Sequence, residues 1–340
     1  MMSDDISCTY IFSMNHIFGP VNSRRLGRSL GVDLFQDKIC TLNCIYCEIG
    51  PTVLLTCDRA EYAPIQKIKE EIDAYCLDQD RVEELDFITV TASGEPTLHV
   101  DFGQILAHLK KTVAKPIAVL TNGTTLISDQ VRQEISQADV VIPSLDSALP
   151  KGFRKIDRPA ACVELDQVIK GLISFSRSYT GKIWLEILFA QGINDTAQEV
   201  EALRQVVKKI NLDRIQLNTV ARPPLESFAR PLNKQRMTAI ARQFQEDNPS
   251  CPVDLLAFQA SQDDEPEDPK KFFFNLDRAM DKKAFTVKLI EMLQRRPCTA
   301  ADINRTFHLG GAEKVEFLLN ALVQDGRIQK RVHEDRVYYQ

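Results

Sequence analysis

The chain has 340 residues, 44% of them apolar, which allows a large core and, on length alone, about two domains. Its net charge of −5, from 42 basic against 47 acidic residues, excludes bulk electrostatic binding of nucleic acid and leaves only local basic surface. Nine cysteines, six of them scattered singly, exclude a secreted disulfide framework. The N-terminus lacks a basic region followed by an apolar run, and no apolar stretch approaches a membrane span, so no membrane association and a reducing cytoplasm are expected.

Residues 1–18 read as a leader without strong periodicity. Gly19-Pro20 breaks structure, Arg24, Arg25 and Arg28 form a small basic run, and Leu30 to Phe35 reads as a strand. At that strand's end lies CTLNCIYC, residues 40–47, with Cys40, Cys44 and Cys47 separated by gaps of three and two. Three thiolates in so short a loop suit a soft metal or an iron–sulfur cluster better than packing. With no fourth cysteine at matching spacing, a [4Fe–4S] cluster held there keeps one iron open to another ligand. Simple burial of thiols, or a zinc site that borrows a histidine, is the competing reading. No histidine follows at zinc-finger spacing; the nearest are His16 and His99.

After the loop, helices and strands alternate. Helices are expected at Ile65–Leu77, Phe102–Val113, Ser128–Gln137 with Ser128 as N-cap, Leu165–Ser176, Ala197–Ile210 and Lys234–Glu246. Strands are expected at Leu85–Thr91, Pro116–Thr121, Val140–Pro143, Lys182–Phe189 and Arg214–Val220. Six continuous apolar strands joined by helices mean an α/β fold with a parallel sheet. A doubly wound sheet and a partial (β/α)6 barrel both fit this order.

The stretch SQDDEPEDPKK is acidic and proline-containing, so residues 249–283 read as a linker. Beyond it, Phe285–Arg296 is a helix stopped by Pro297, Thr299 caps a second helix to Phe307, and Ala312–Gln324 is a third after Leu309-Gly310-Gly311. Arg327–Val332 and Arg336–Tyr339 flank a tight turn. Three helices and a hairpin make a winged helix-turn-helix domain at 284–340, following a first domain at 19–248. From Ala284 to Gln340 there are nine Lys/Arg and seven Asp/Glu. The third helix is acidic (Glu313, Glu316) and ill-suited to a phosphate-lined groove. The hairpin, with Arg327, Lys330, Arg331 and Arg336, is better suited to RNA.

The cysteine spacing, with Tyr46 before the last cysteine, resembles the signature of the radical S-adenosylmethionine (radical SAM) superfamily. That resemblance favours the partial barrel and implies a [4Fe–4S] cluster on Cys40, Cys44 and Cys47, S-adenosylmethionine on the open iron, and a flavodoxin- or ferredoxin-type electron donor. It implies reductive cleavage of the cofactor to a 5′-deoxyadenosyl radical that abstracts hydrogen from a substrate. Ser93-Gly94-Glu95, in TVTASGEPTL, matches the family's glycine-glycine-glutamate stretch, which grips the cofactor's amino group; a turn with an exposed Glu is the alternative. Asn122-Gly123 is a turn in which Asn122 is also offered to the ligand. Ser144 and Asp146, two apart at a strand end, suit a ribose diol or cap the next loop.

Glu186 in IWLEILF needs either a structural partner or the cofactor, and Asn218 sits near the expected adenine position. Arg154, Lys155, Arg158, Arg222 and Arg230 follow strand ends, either merely solvated or facing a phosphate. GPVNSRRLGRSLGVDL and LNTVARPP look like the branch of iron–sulfur oxidoreductases related to tRNA wyosine synthases, which implies RNA, tRNA or another phosphate-bearing substrate. Wyosine synthases carry further N-terminal cysteines for a second cluster, whereas this N-terminus offers only Cys8, and no Schiff-base lysine can be placed. The alternative function is a redox-sensing regulator whose cluster signals and whose winged helix binds nucleic acid.

Overall fold

The computed structural model describes residues 14–23, 25–258, 279–307 and 309–340. Cys8, Arg24, most of the expected leader and the acidic stretch of the expected linker lie outside the described residues.

The chain builds β1 (Ile17–Ser23), β2 (Gly27–Asp33), β3 (Ile39–Cys40), β4 (Leu54–Leu55), α1 (Ile65–Cys76), α2 (Gln79–Glu83), β5 (Phe87–Thr91), α3 (Phe102–Thr112), β6 (Ile117–Thr121), α4 (Asp129–Ile135) and β7 (Val140–Pro143). It continues with α5 (Pro150–Ile156), α6 (Leu165–Ser178), β8 (Lys182–Phe189), α7 (Ala197–Val207), β9 (Arg214–Thr219), α8 (Lys234–Asp247) and β10 (Val253–Leu255). The main sheet runs β1-β2-β5-β6-β7-β8-β9-β10. Only the β1–β2 pair is antiparallel.

That order separates the two topologies left open by the sequence. A doubly wound sheet reverses its strand order at a switch point. Here neighbours follow one another without reversal, so right-handed crossovers place the helices on one face and the sheet curls. The fold is α/β with a mostly parallel sheet, consistent with an incomplete barrel. Along β8, Ile183, Leu185, Ile187 and Phe189 are buried against the helices, while Trp184, Glu186 and Leu188 occupy the other, inner face. At the base of the inner face Trp184 packs with Leu26, Ala118, Val140 and Ile142.

Two expectations are corrected. Ile17 and Phe18 belong to β1, not to a leader; the strand's Gly19-Pro20 and an irregular register between Phe18 and Val21 hid it. Residues 253–255 belong to the sheet rather than to a linker, and α9 begins at Ala279. Asp254 meets Arg214 at 2.5 Å across the β9–β10 pair. Ser128 occupies the N-cap position of α4, but its side chain makes no capping bond.

The C-terminal part comprises α9 (Ala279–Arg295), α10 (Ala300–Phe307), α11 (Ala312–Gln324), β11 (Lys330–His333) and β12 (Arg336–Tyr339). Thr299 and Asp302 cap α10 reciprocally. Phe285, Leu289, Ile303, Val315, Leu319 and Tyr339 form an apolar core of their own. This unit leans on the sheet: the Arg295 guanidinium lies 4.8 Å over the Phe18 ring and 3.5 Å from Asp33. Tyr338 donates to the Ala221 carbonyl at 2.8 Å.

Candidate cluster and cofactor site

The cysteine loop is stitched into the rim at the C-terminal ends of the parallel strands. Ile39 N–H donates to Ser93 O and Glu95 N–H to Ile39 O; Thr56 N–H donates to Cys40 O and Ala160 N–H to Thr41 O. Further along, Asn43 N–H reaches Asp157 O and Ile45 N–H reaches Ile156 O. A loop whose main chain is satisfied on both sides holds its side chains in place without a regular element. Cys40 is buried, while Cys44 and Cys47 are half-buried.

Burial, then the Glu95 carboxylate, pushes the Cys40 thiol up to about 12. Burial, then Asp157 with Oδ1 3.5 Å from Sγ, raises Cys44 well above the ordinary thiol range. Cys40 and Cys47 add to the shift of Cys44, so the three sulfurs lie within electrostatic reach of one another. Loading a metal centre here must displace protons. Three thiols on one loop are a soft donor set, of the kind an iron–sulfur cluster takes with each thiolate on a different iron.

Cys57 and Cys162, 105 residues apart, form a disulfide. It is the one disulfide bond that the scattered cysteines form among the described residues. The reason is tertiary: the segments carrying them bond Cys40 O and Thr41 O from opposite sides, which brings the two thiols together. Such bonds are uncommon in a reducing cytoplasm. The remaining free thiols of the described residues, Cys76, Cys251 and Cys298, sit at the end of α1, before β10 and in the C-terminal core.

Behind the loop lies Gly94, at φ +136°; a Cβ there would stand 1.7 Å from Ile39 O. The close approach this glycine permits is to the cysteine loop itself. Glu95 is fully buried. Its Oε1 accepts from Thr97 N–H, the Thr97 hydroxyl and the Thr121 hydroxyl at 3.2, 2.6 and 2.7 Å, and its Oε2 from Asn122 N–H at 2.7 Å. Three of these four donors crowd Oε1, while Oε2 takes Asn122 N–H alone and keeps acceptor capacity for a further donor. Burial raises its pKa while these donors lower it. Asn122 in turn donates from Nδ2 to Thr41 Oγ1 at 2.9 Å and reaches Cys40 Sγ at 3.4 Å. Ser93 is anchored to Asp33 through its N–H and its hydroxyl, both at 2.8 Å.

Asp146 is 3% exposed and does not share an open face with half-buried Ser144. Its Oδ1 accepts from Leu188 N–H at 2.7 Å and its Oδ2 from the Tyr46 hydroxyl, which ties the cysteine loop to β7 and β8. Burial lifts Asp146 to about 7, and burial reinforced by Asp146 raises Asp157. On the inner face, Arg25 grips Glu186 through two nitrogens at 2.7 and 3.1 Å, and Asn218 Nδ2 donates to Glu186 Oε1 at 3.1 Å. Arg25 and Asp157 were not singled out from sequence as site residues; no local signal links Arg25 to a glutamate 161 residues away. Two of the strand-end cations are neutralised in place, Arg158 by Glu226 and Arg222 by Glu48.

The family profile described as the Radical SAM superfamily matches residues 38–207, half of the chain, and includes the cysteine loop and its glutamate hub. The chain belongs to the radical SAM superfamily. It is an enzyme of that class, and a [4Fe–4S] cluster and S-adenosylmethionine are the cofactors such enzymes use. The UPF0026 protein MJ1312 of Methanocaldococcus jannaschii is 32% identical over 68% of this chain and 72% of its own length. A UPF0026 protein of Synechocystis sp. is 37% identical over 62% and 77%.

A protein named GTPase Obg from Brachyspira hyodysenteriae is 33% identical over 93% of the chain, which spans only 44% of that protein's length. Two solved radical SAM-type structures share the fold. One is TYW1 with a lysine-pyruvate adduct (TM-score 0.50, 16% identity, 67% of this chain and 76% of that one). The other is a radical SAM methyltransferase from Sphaerobacter thermophilus (TM-score 0.53, 15% identity, 67% and 66%). Among the described residues, no helix is long and apolar enough to cross a membrane.

Proposed function

We propose that Cys40, Cys44 and Cys47 hold the [4Fe–4S] cluster, and that the polar rim beside them receives S-adenosylmethionine for hydrogen abstraction from a phosphate-bearing substrate, RNA or tRNA foremost. The observation that carries this is the cysteine loop itself: three thiols in one stitched loop, with the two thiols on the flanking segments bonded to each other. That leaves three protein ligands and one open position. When bound, the two cofactors supply a 5′-deoxyadenosyl radical.

The chain's own residues orient and exclude. Glu95, Asn122, Tyr46 and Asp146 act as positioning residues for the loop, because their polar atoms are spent on it and on the neighbouring strands. Ser93, Gly94 and Ser144 at the rim, and Glu186 and Asn218 on the inner face, are the proposed contacts for the cofactor. Arg25 holds Glu186 in place and keeps its charge compensated on a half-buried face. Apolar Ile45, Ile156, Ala190 and Val220 close the space behind Tyr46 and keep water out. The C-terminal unit, 284–340, is proposed as a winged helix-turn-helix domain beside a radical SAM domain at 19–248, and a small flavodoxin or ferredoxin as the electron donor in the cytoplasm.

The test is anaerobic reconstitution with iron and sulfide, followed by S-adenosylmethionine and dithionite. Iron should bind, and 5′-deoxyadenosine should form in the wild type and fall to background in Cys40→Ala, Cys44→Ala and Cys47→Ala. A wild type that loads iron but yields no 5′-deoxyadenosine sinks the reading. Comparing modified nucleosides in tRNA from a deletion strain and its parent tests the substrate class.

A further inference from the structure

Between the cysteine loop and the C-terminal hairpin lies a cavity of about 480 Å³, within the range that holds a small organic ligand. Its two walls differ in character. One is the end of the cysteine loop together with the turn after β9, and it is mostly apolar: Ile49, Pro51, Pro223, Pro224 and Leu225. The acid on that wall, Glu48, lies 3.0 Å from Arg222. The other wall is the Gly326–Gln329 segment with Arg331, and it brings two guanidinium groups, Arg327 and Arg331. Both are exposed, and neither forms an ion pair among the described residues. The Gln340 carbonyl oxygen, also at this wall, is taken by Gln329 N–H at 2.6 Å.

The walls are fastened to each other. Tyr338 donates to Ala221 O, and a His333 ring nitrogen lies 3.3 Å from Val220 O, just before the Pro223-Pro224 turn. Cys47 borders the cavity, so whatever occupies it lies against a candidate cluster ligand. A lone exposed arginine is ordinarily just solvated. Two on one wall of a partly enclosed space, opposite an apolar wall whose acid is already neutralised, make a site for an anion with an organic body. The planar guanidinium fork matches phosphate oxygens in pairs.

We infer that this cavity anchors the substrate: Arg327 and Arg331 hold a phosphate ester, and the proline-rich wall carries the rest of the molecule beside Cys47. The inference rests on the radical SAM reading for the meaning of that neighbourhood, but not for the binding itself. Arg336, on the same face of the hairpin as Arg331, lies outside the cavity lining and adds positive charge to that face, whereas Lys330 points the other way, over the Tyr339 ring.

The test titrates full-length, cluster-reconstituted protein with two probes, a fluorescein-labelled single-stranded RNA and AMP. Wild type should bind at least one of them, and Arg327→Gln with Arg331→Gln should weaken it about tenfold or more. With RNA, the salt slope should fall by roughly one per lost phosphate contact. The double lysine variant should keep part of the affinity, since it preserves charge without the fork. Arg177→Gln, in a larger cavity of about 750 Å³ between α4 and α6, should change nothing. Equal loss for AMP marks a small phosphorylated substrate; binding and loss with RNA alone mark a strand. Wild type that binds neither probe, or a double glutamine variant with unchanged affinity, overturns the inference. Because the titration needs no cofactor cleavage, its failure is separate from any absence of 5′-deoxyadenosine.

Discussion

At the rim of the parallel sheet, Glu95 meets four donors, Asp146 joins Tyr46 to Leu188, and Arg25 is clamped on Glu186. On the C-terminal hairpin, Arg327 and Arg331 stand exposed, and neither forms an ion pair among the described residues. The same chain thus treats charge in two ways. Where a loop must be held to a fixed geometry, polar groups are buried and paired, because a buried group left unpaired costs more than the pair gains; Asp157 Oδ2 is the exception at this rim. Where we propose that a ligand comes and goes, charge is left to water.

Four variants sharpen that contrast, and the largest effect belongs to the rim. Cys57→Ser with Cys162→Ser should lower unfolding stability by roughly 2–4 kcal/mol, since the bond closes a long loop; dithiothreitol should lower the wild type's unfolding free energy by the same amount, read from the fall in its denaturant midpoint. A reduced wild type as stable as the oxidised one means that the rim does not lean on this bond. Glu95→Gln, which keeps one acceptor oxygen but sets an amide NH2 against at least the Asn122 N–H, should cost about 2 kcal/mol and reduce iron bound per folded chain. Retention of full iron loading argues against a positioning role for Glu95.

Asp146 gives a smaller, pH-dependent effect. Its folded pKa of about 7 lies above the ordinary value near 4, so the native state binds this proton more tightly. Its contribution is complete below about pH 4, is lost as pH rises to about 7, and is constant beyond. Apo-protein should therefore lose stability across that window, and Asp146→Asn should flatten the slope; Asp157 and Glu95 shift in the same direction, so some slope remains. The smallest effect belongs to the seam. Tyr338→Phe removes one hydrogen bond to Ala221 O, about 1 kcal/mol, and should weaken phosphate-probe binding while leaving iron content intact. A loss of iron in that variant would blur the distinction between rim and hairpin.

Val140–Pro143, Lys182–Phe189 and Ala312–Gln324 were legible to the residue, because continuous apolar strands and a glycine-bounded amphipathic run are local signals. The short or proline-bearing elements β1, α2, α5 and β10 were not, since three to seven residues carry too little periodicity. Within the site, the cysteine spacing was plain. The partners of Glu95 were not, because Thr97, Thr121 and Asn122 reach it only once the strand ends are side by side.

By itself, the amino-acid sequence determined an alternating α/β chain, a three-cysteine loop at a strand end and a basic hairpin, because each depends on residues near one another along the chain. Only the tertiary structure decided that the sheet curls without reversing its order, that Cys57 meets Cys162, that Tyr46 meets Asp146 and Arg25 meets Glu186, and that the hairpin walls a cavity beside Cys47. Those are contacts across 100 residues or more. Nothing local encodes them, because the energy of a buried pair exists only once the fold has removed the water between its members.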